Sequence, residues 1–400
     1  VLSAARLVKG AIRLSGSVQS LDTDVLKNIK RSNISGDSLM ELAVEAAEID
    51  ADSRSEIILG LPGESLKSHF QTINTVIDAR FNHVNTYQLM MLPGTEIDSP
   101  EVRQKFDMNT RYRILPRCFG YYNILDKQIV AAEIEEVCVS TNTLSFEDYI
   151  KCRKMHLLIH IYHNDGLFNS ALEFIKHLKL SPYSWLELLF DEEMFGGVKE
   201  LFNKYELDTR QELWLKREDL GQNIQTPGVV DSYISGDLGY NLLFVHKAIA
   251  MSRFIPDLKK FAKITLEKLL SKNNLISNEN LDFLNDSLNY DACCISNIFE
   301  NIEKTPITTM KYDIKKFIFE KNKTMGEFKY VKPLETSFIM NDSQKDILKR
   351  SLELYGSTDL GVSRILTKVF VKKILRTGET SENSGKTIKE IKNISDWPYC

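Results

Sequence analysis

The sequence lacks a basic field, a membrane span, a secretion signal and any clustered set of cysteines. Its formal net charge is −4, from 51 Lys and Arg against 55 Asp and Glu, so it has no chain-wide attraction to nucleic acid or to an anionic membrane, and neither is expected as a partner. No apolar run reaches the roughly 18 to 20 residues that a membrane helix requires. The N-terminus shows no succession of basic region, apolar stretch and small-residue cleavage site, so a cytoplasmic location is the expectation. The six cysteines, Cys118, Cys138, Cys152, Cys293, Cys294 and Cys400, are scattered along the chain, which argues for reduced thiols rather than a disulfide framework. None falls in a CxxC or CxxxCxxC set. The full Walker pattern GxxxxGK[ST] and a GxGxxG loop are also missing.

What is present is an ordinary globular composition, 43% hydrophobic and 26% charged over 400 residues, with room for two or three domains. The chain opens at Val1 in what reads as the end of a helix, Leu2 to Lys9, so it is expected to start in mid-domain. From Ala11 to Met91 short apolar runs alternate with helical periodicity. Ile12 to Val18, Ile57 to Leu61 and Val84 to Leu92 read as strands. Asp22 to Lys30, Ser38 to Asp50 and Ser65 to Ala79 read as helices, the second opened by the capping pair Ser38 and Glu41. Ile57 to Leu61 is near-continuously apolar, as in strands buried on both faces of a parallel sheet. Strand and helix in alternation imply right-handed crossovers and a parallel sheet or barrel.

Beyond Tyr122 the rhythm changes. Lys127 to Ser140 reads as one more strand-like stretch, and helical patterns dominate from Ser145, with Asp148 completing its cap. Alternation at Met310 to Phe319 and Gly326 to Met340 suggests two strands of a small α+β unit, closed by helices from Asp342 to Leu375. The expected division is 1–125 as the later half of a (β/α) barrel, 126–304 as a mainly helical domain, 305–375 as the α+β unit and 376–400 as a polar, mobile tail. The fold class is thus an α/β partial parallel barrel followed by a mainly α-helical domain.

Ligands of parallel sheets bind at the carboxyl ends of the strands. Three such ends carry distinctive residues: Ser17-Val18-Gln19-Ser20, Ile58-Leu59-Gly60-Leu61-Pro62-Gly63-Glu64 and Leu92-Pro93-Gly94-Thr95. Glycines at the last two remove side chains, so that backbone can lie against a flat ring such as adenine. Singly, each is also an ordinary strand-to-helix turn. Their order and spacing, with Arg31-Ser32-Asn33, Ser55-Glu56-Ile57 and Tyr87-Gln88-Leu89, resemble the radical S-adenosylmethionine (SAM) superfamily, in particular the group whose complete members carry a cobalamin-binding domain ahead of the barrel. The resemblance covers the fourth to sixth strands of a six-stranded partial barrel and extends through Arg113 to Gly120 and Thr141 to Gly166.

The resemblance implies roles that the residue chemistry supports. Gln19 and Glu56 would bond the ribose hydroxyls, a carboxylate being able to accept both hydrogens of a vicinal diol. Arg31 would pair with the methionyl carboxylate through its planar guanidinium. Ile58, Gly60 and Leu92 would contact the adenosyl group, and Glu56, Ile58 and Gly60 alternate onto one strand face. The resemblance further implies a [4Fe-4S] cluster on a CxxxCxxC motif. That motif is absent from the chain, so the expectation is a fragment, inactive by itself, whose cluster ligands and any cobalamin domain lie elsewhere. A small-molecule substrate and an electron donor such as a flavodoxin or ferredoxin are the implied partners.

Other features admit plainer readings. His156, His160 and His163 fall on one face of a helix and can in principle bind zinc or nickel, yet the apolar residues between them fit a packing helix equally. Arg111, Arg113 and Arg117 form a basic cluster suited to an acidic or phosphorylated group, or simply to a solvated face. Cys293 and Cys294 look like small buried residues. The aromatics from Phe328 to Phe338 fit the core face of a hairpin. Two further function classes remain open: a non-catalytic interaction protein with a vestigial barrel remnant, and a different β/α enzyme binding a nucleotide at Gly60 to Glu64.

Overall fold

The computed structural model describes residues 14–32, 38, 41, 43, 45, 53–320 and 323–380. The expectations for Leu2 to Lys9, for most of Ser38 to Asp50 and for the chain beyond Thr380 lie outside these residues. The protein is mixed α/β, with many helices and three small sheets.

Strands β1 (Leu14–Ser15), β2 (Ser53–Leu59) and β3 (His83–Gln88) lie parallel in that order. Helix α1 (Thr23–Asn28) follows β1, and the Asp22 side chain accepts from the N–H groups of Asp24 and Val25, satisfying two of the donors a helix start leaves unpaired. Helix α2 (Leu66–Asp78) crosses from β2 to β3 and starts in a Ser65/Ser68 capping box. Along β2, Ser55, Ile57 and Leu59 are buried while Arg54, Glu56 and Ile58 are half-buried, the period-two pattern of a sheet covered on one face. Ile57 joins Ile73, Val76 and Ile77 of α2 in one apolar cluster. The face bearing Glu56 stays open. The far edge of β3 is closed by the Asn164 amide, which accepts from Val84 N–H at 3.0 Å and donates to Val84 C=O at 2.9 Å, a side-chain substitute for a neighbouring strand.

Strand β4 (Asn109–Ile124) has no counterpart among the sequence expectations. It pairs antiparallel with β5 (Lys127–Ser140), which is as expected. Polar residues face both sides of β4 and Pro116 sits in a wide bulge between Ile114 and Phe119, so the strand shows no clean alternation. Leu125 and Asp126, at φ 45° and 59°, form the two-residue turn that such twisted hairpins favour. The expected boundary at 125 therefore falls inside a hairpin rather than between domains. β5 also continues onto the parallel sheet: Cys138 N–H donates to Leu89 C=O and Met91 N–H to Glu136 C=O, each at 2.9 Å.

Helix α3 (Phe146–Leu158) begins at the Ser145 cap and passes into a π-helical segment, Ile159–His163. It is followed by α4 (Asn169–His177), α5 (Pro182–Asp191), α6 (Gly196–Gln211), α7 (Leu242–Arg253), α8 (Ile255–Lys272) and α9 (Asn278–Ile295). A single apolar cluster runs from Ile57 and Val76 of the sheet unit to Trp185, Phe261 and Phe338. In the C-terminal unit, β6 (Ile307–Tyr312) and β7 (Lys329–Ile339) pair antiparallel, and α10 (Asp342–Tyr355) and α11 (Asp359–Lys368) follow. The start of the expected mobile tail is instead a third strand, β8 (Thr377–Thr380), on β7. Gly378 makes this possible, since a Cβ there would stand 2.7 Å from the Tyr290 ring. Among the described residues no helix is long and apolar enough to cross a membrane.

Asp291 of α9 accepts from Ser170 N–H at 3.1 Å and Ala171 N–H at 3.2 Å in the first turn of α4. Burial pushes its carboxyl up to about 7 against these hydrogen bonds. The folded state thus holds a proton that the unfolded chain, near about 3.9, releases earlier. Its contribution is present at low pH and lost as pH rises through the folded value. Urea unfolding from pH 4 to 8 is expected to show a stability loss of up to about 1.4 kcal/mol per pH unit relative to Asp291→Asn. Parallel pH curves for the two proteins would refute this assignment.

Candidate cofactor face and adjoining cavity

The open side of the parallel sheet brings together four of the six residues that the sequence singles out. Gln19 continues β1 alongside β2: its N–H donates to Glu56 C=O at 2.8 Å and its C=O accepts from Ile58 N–H at 2.9 Å. It does so at φ 58°. Glu56 is held by Ser17 Oγ at 2.9 Å and by Asn85 Nδ2 at 3.4 Å. Arg31 Nη2 donates to the Ser17 carbonyl at 2.8 Å. Ser17 therefore ties guanidinium and carboxylate to one strand end, a role the sequence reading missed because nothing local marks it. Both hydrogen bonds orient Glu56 through neutral partners, which leaves its negative charge available to donors on the open face. Tyr87, across from Ile58, has its phenol raised by burial and then by the Glu56 charge.

Gly60 and Leu92 stand apart from this group. Gly60 has φ 91°, a conformation that glycine adopts without strain. The side on which a Cβ would project is filled by the Cys138 carbonyl of β5 at 3.1 Å. The missing side chain at Gly60 thus makes room for the hairpin. At Gly94, φ 84°, nothing lies within 4 Å of the corresponding position. Leu92 is exposed on the loop after β3, and its carbonyl accepts from Thr95 N–H and Thr95 Oγ1.

Behind Gly60 runs a fully buried polar chain. Gly60 N–H donates to Glu64 Oε2 at 2.7 Å, His69 Nδ1 lies 2.9 Å from Glu64 Oε1, and His69 Nε2 lies 2.8 Å from His156 Nε2. His156 Nδ1 faces Arg153 Nη1 at 3.4 Å. Burial, then the neighbouring His69 and Arg153, push His156 well below the ordinary histidine range. Only one arrangement of neutral rings satisfies every contact: Arg153 donates to His156, His156 to His69, and His69 to the carboxylate.

A cavity of about 810 Å³ adjoins the open face on the β3 side. Asn85 and Tyr87 line it from the sheet, Met90 and Pro116 lie at its hairpin side, and His160, Asp165 and Phe244 lie on the helical side. Asp165, at φ 62°, pairs with the fully buried Lys247 and with His83. Burial alone would raise the Asp165 carboxyl, but Lys247 and His83 hold it well below the usual range.

The three histidines of α3 and its π-helical extension diverge. His156 turns to His69, His163 donates to Phe81 C=O at 2.9 Å, and His160 packs edge-on against Phe244. No three His, Cys, Asp or Glu side chains converge as a metal cage among the described residues. The arginine cluster separates as well: Arg113 is paired with Glu135 and Glu212, Arg111 lies over the Phe146 ring, and Arg117 reaches Thr367. The described cysteines are free thiols that form no group of three metal-ligating side chains among the described residues, and so do not fit an iron–sulfur cluster. Burial pushes the Cys138 thiol up to about 12, whereas a cluster ligand must be a thiolate.

No family model matches the chain. Among characterised proteins it is similar to the 2-(S-pantetheinyl)-carbapenam-3-carboxylate methyltransferase of Streptantibioticus cattleyicolor, 29% identical over 150 residues, 37% of this chain and 21% of that protein. It is similar to the cobalamin-dependent radical SAM methyltransferase TokK of Streptomyces tokunonensis, 34% identical over 96 residues, 24% of this chain and 14% of that protein. The heme chaperone HemW of Buchnera aphidicola subsp. Acyrthosiphon pisum is 29% identical over 104 residues, 25% of this chain and 27% of HemW. The chain thus spans about a quarter or less of each of these relatives. All three are radical SAM proteins, and the chain shares that superfamily's sequence over part of its length.

Proposed function

We propose that the chain contributes the later strands of a radical SAM barrel and that its open sheet face holds the adenosyl and methionyl parts of SAM. The observation that carries this reading is the Gln19, Ser17, Arg31 and Glu56 group, gathered at adjacent strand ends on the face opposite α2. Glu56 accepts the ribose hydroxyls with Gln19 beside it, Arg31 binds the methionyl carboxylate, and Ile58, with the backbone near Gly60 and Leu92, meets the adenine. In this superfamily the cofactor, bound to a reduced [4Fe-4S] cluster, supplies a 5'-deoxyadenosyl radical. The described cysteines do not fit that cluster, so in this reading its ligands belong to residues outside the chain and the chain alone is inactive. A cobalamin domain, a small-molecule substrate and a flavodoxin- or ferredoxin-like electron donor belong to the same proposal, the first supported by the similarity to TokK.

The test is expression together with in-frame upstream coding sequence that carries CxxxCxxC, followed by anaerobic reconstitution with iron and sulfide and an assay for 5'-deoxyadenosine. Product is expected from the extended protein and none from the 400-residue chain. In the reconstituted protein, Glu56→Ala and Arg31→Ala are each expected to weaken SAM binding about 10- to 100-fold, the worth of a charge-assisted hydrogen bond. A cluster-bearing protein that takes up no SAM, or binding unchanged in both variants, would remove the site assignment. The absence of any such upstream motif favours an interaction protein with a vestigial barrel.

A further inference from the structure

Arg153 is a buried guanidinium, 2% exposed, that forms no ion pair with any described carboxylate. It donates once, to His156 Nδ1 at 3.4 Å, and lies 5.7 Å from the Tyr205 ring centroid. Its Nε has no hydrogen-bond partner among the described residues. The negative end of its polar chain is Glu64, two imidazoles away. A buried cation so weakly compensated is unfavourable unless an anion comes to it.

Arg153 borders two cavities. The smaller, about 270 Å³, is lined by Glu192, Glu193 and Glu206 against Lys154 and Lys199, so an anion there would meet more carboxylates than ammonium groups. The larger, about 810 Å³, has Arg54, Lys368, Lys372 and Lys373 on its walls and Asp165 as its acidic residue, already paired with Lys247. Two more orphaned buried polar atoms line this cavity, Thr86 Oγ1 and His160 Nδ1. Burial, then Lys247 and His83, push His160 well below the ordinary range, so its neutral ring offers one hydrogen bond without adding charge. The smaller cavity offers one such orphaned atom, Tyr205 Oη; the larger offers two and has its basic residues in excess over a single, already paired carboxylate, so it is the better anion site.

We propose that this cavity binds a small molecule through an oxyanion, a carboxylate or phosphate, seated on Arg153 with Thr86 and His160 as further polar contacts. Arg153 has donors in a planar fork suited to either anion, and the lysines at the wall raise the local anion concentration. The cavity shares Asn85 with the Glu56 side chain, so a ligand held there reaches the edge of the open face. That this ligand is the substrate rests on the function proposed above; the anion site itself does not.

The experiment is calorimetric titration of the 400-residue chain, without SAM, using inorganic phosphate in one arm and succinate in the other. Saturable binding is expected in at least one arm, and the stronger arm identifies the anion. Arg153→Met is expected to weaken it at least about tenfold, and Arg54→Gln by a smaller factor. Arg153→Met also removes the donor to His156 Nδ1, so a lowered melting temperature is expected with it and is read separately from the titration. Should that variant fail to fold, the wild-type and Arg54→Gln titrations still decide. Absence of saturable binding in both arms up to about 10 mM, enough to fill a site with Kd near about 1 mM, overturns the proposal, as does equal affinity in wild type and Arg153→Met. Since no SAM is used, these outcomes are independent of the cofactor assignment.

Discussion

Replacing Lys247 by methionine is expected to destabilise the protein by about 3 to 5 kcal/mol, the cost of leaving one partner of a buried ion pair behind. Lys247 is fully buried on α7 and its ammonium contacts Asp165, whose side chain is 19% exposed. With the lysine gone, the carboxylate keeps only His83, at 3.4 Å. In the wild type the Asp165 carboxylate has a pH dependence of its own. Its carboxyl is depressed, so its contribution is complete above the unfolded value near about 3.9 and fades as pH falls through the lower folded one. Adding Asp165→Asn to Lys247→Met removes the orphaned charge and keeps a residue that tolerates φ 62°. The double variant should regain most of the loss. Urea unfolding of wild type, Lys247→Met, Asp165→Asn and the double variant measures this cycle, and a double variant no more stable than Lys247→Met would show that the pair is not the source.

The parts of the fold legible in the sequence are those set by neighbours along the chain. Ser145 caps a helix where its spacing to Asp148 predicts, because a cap is a three-residue contact, and the helix expected from Ser65 begins there. Lys127 to Ser140 is a strand over the expected range. Glu56 and Ile58 share a half-buried face because strand side chains alternate regardless of partners. What escaped depends on distant residues. β4 is defined by β5 and by Trp214, whose backbone exchanges hydrogen bonds with Tyr112 at 2.7 and 2.8 Å. β8 is defined by β7 and Tyr290, and its four residues read as tail when taken alone. The histidine spacing misled for a local reason: the π-helical segment Ile159–His163 has a wider turn, and the one-face arithmetic of an α-helix fails there. At the site, Arg31 and Glu56 were visible as charges, but their common anchor on Ser17, 14 and 39 residues away, was not.

Glu64 illustrates the same limit and carries the second large effect. In the sequence it is the last residue of a Gly-Leu-Pro-Gly-Glu turn; in the fold it is completely buried and accepts from both Gly60 N–H and His69 Nδ1–H. Glu64→Gln keeps the shape and removes one acceptor. Its amide NH2 must then face either the Gly60 N–H or the His69 Nδ1–H. His69 can escape by moving its proton to Nε2, but that forces His156 to present Nδ1–H to the Arg153 guanidinium, donor against donor. Every arrangement leaves at least one buried donor unpaired, and the loss of the charge weakens what remains. A destabilisation of about 3 kcal/mol follows, from one unsatisfied buried group together with one charge-assisted bond. Chemical denaturation measures the total. Nitrogen chemical shifts of His69 and His156 locate it: wild type should carry protons on His69 Nδ1 and His156 Nε2, and the variant keeps them there if the amide NH2 faces Gly60 and moves them if it faces His69. If Glu64→Gln lies within about 0.5 kcal/mol of wild type, the carboxylate is dispensable and the chain does not order Arg153. If the predicted loss appears with altered ring protonation, the turn behind the proposed cofactor face and the arginine of the cavity belong to one hydrogen-bonded unit.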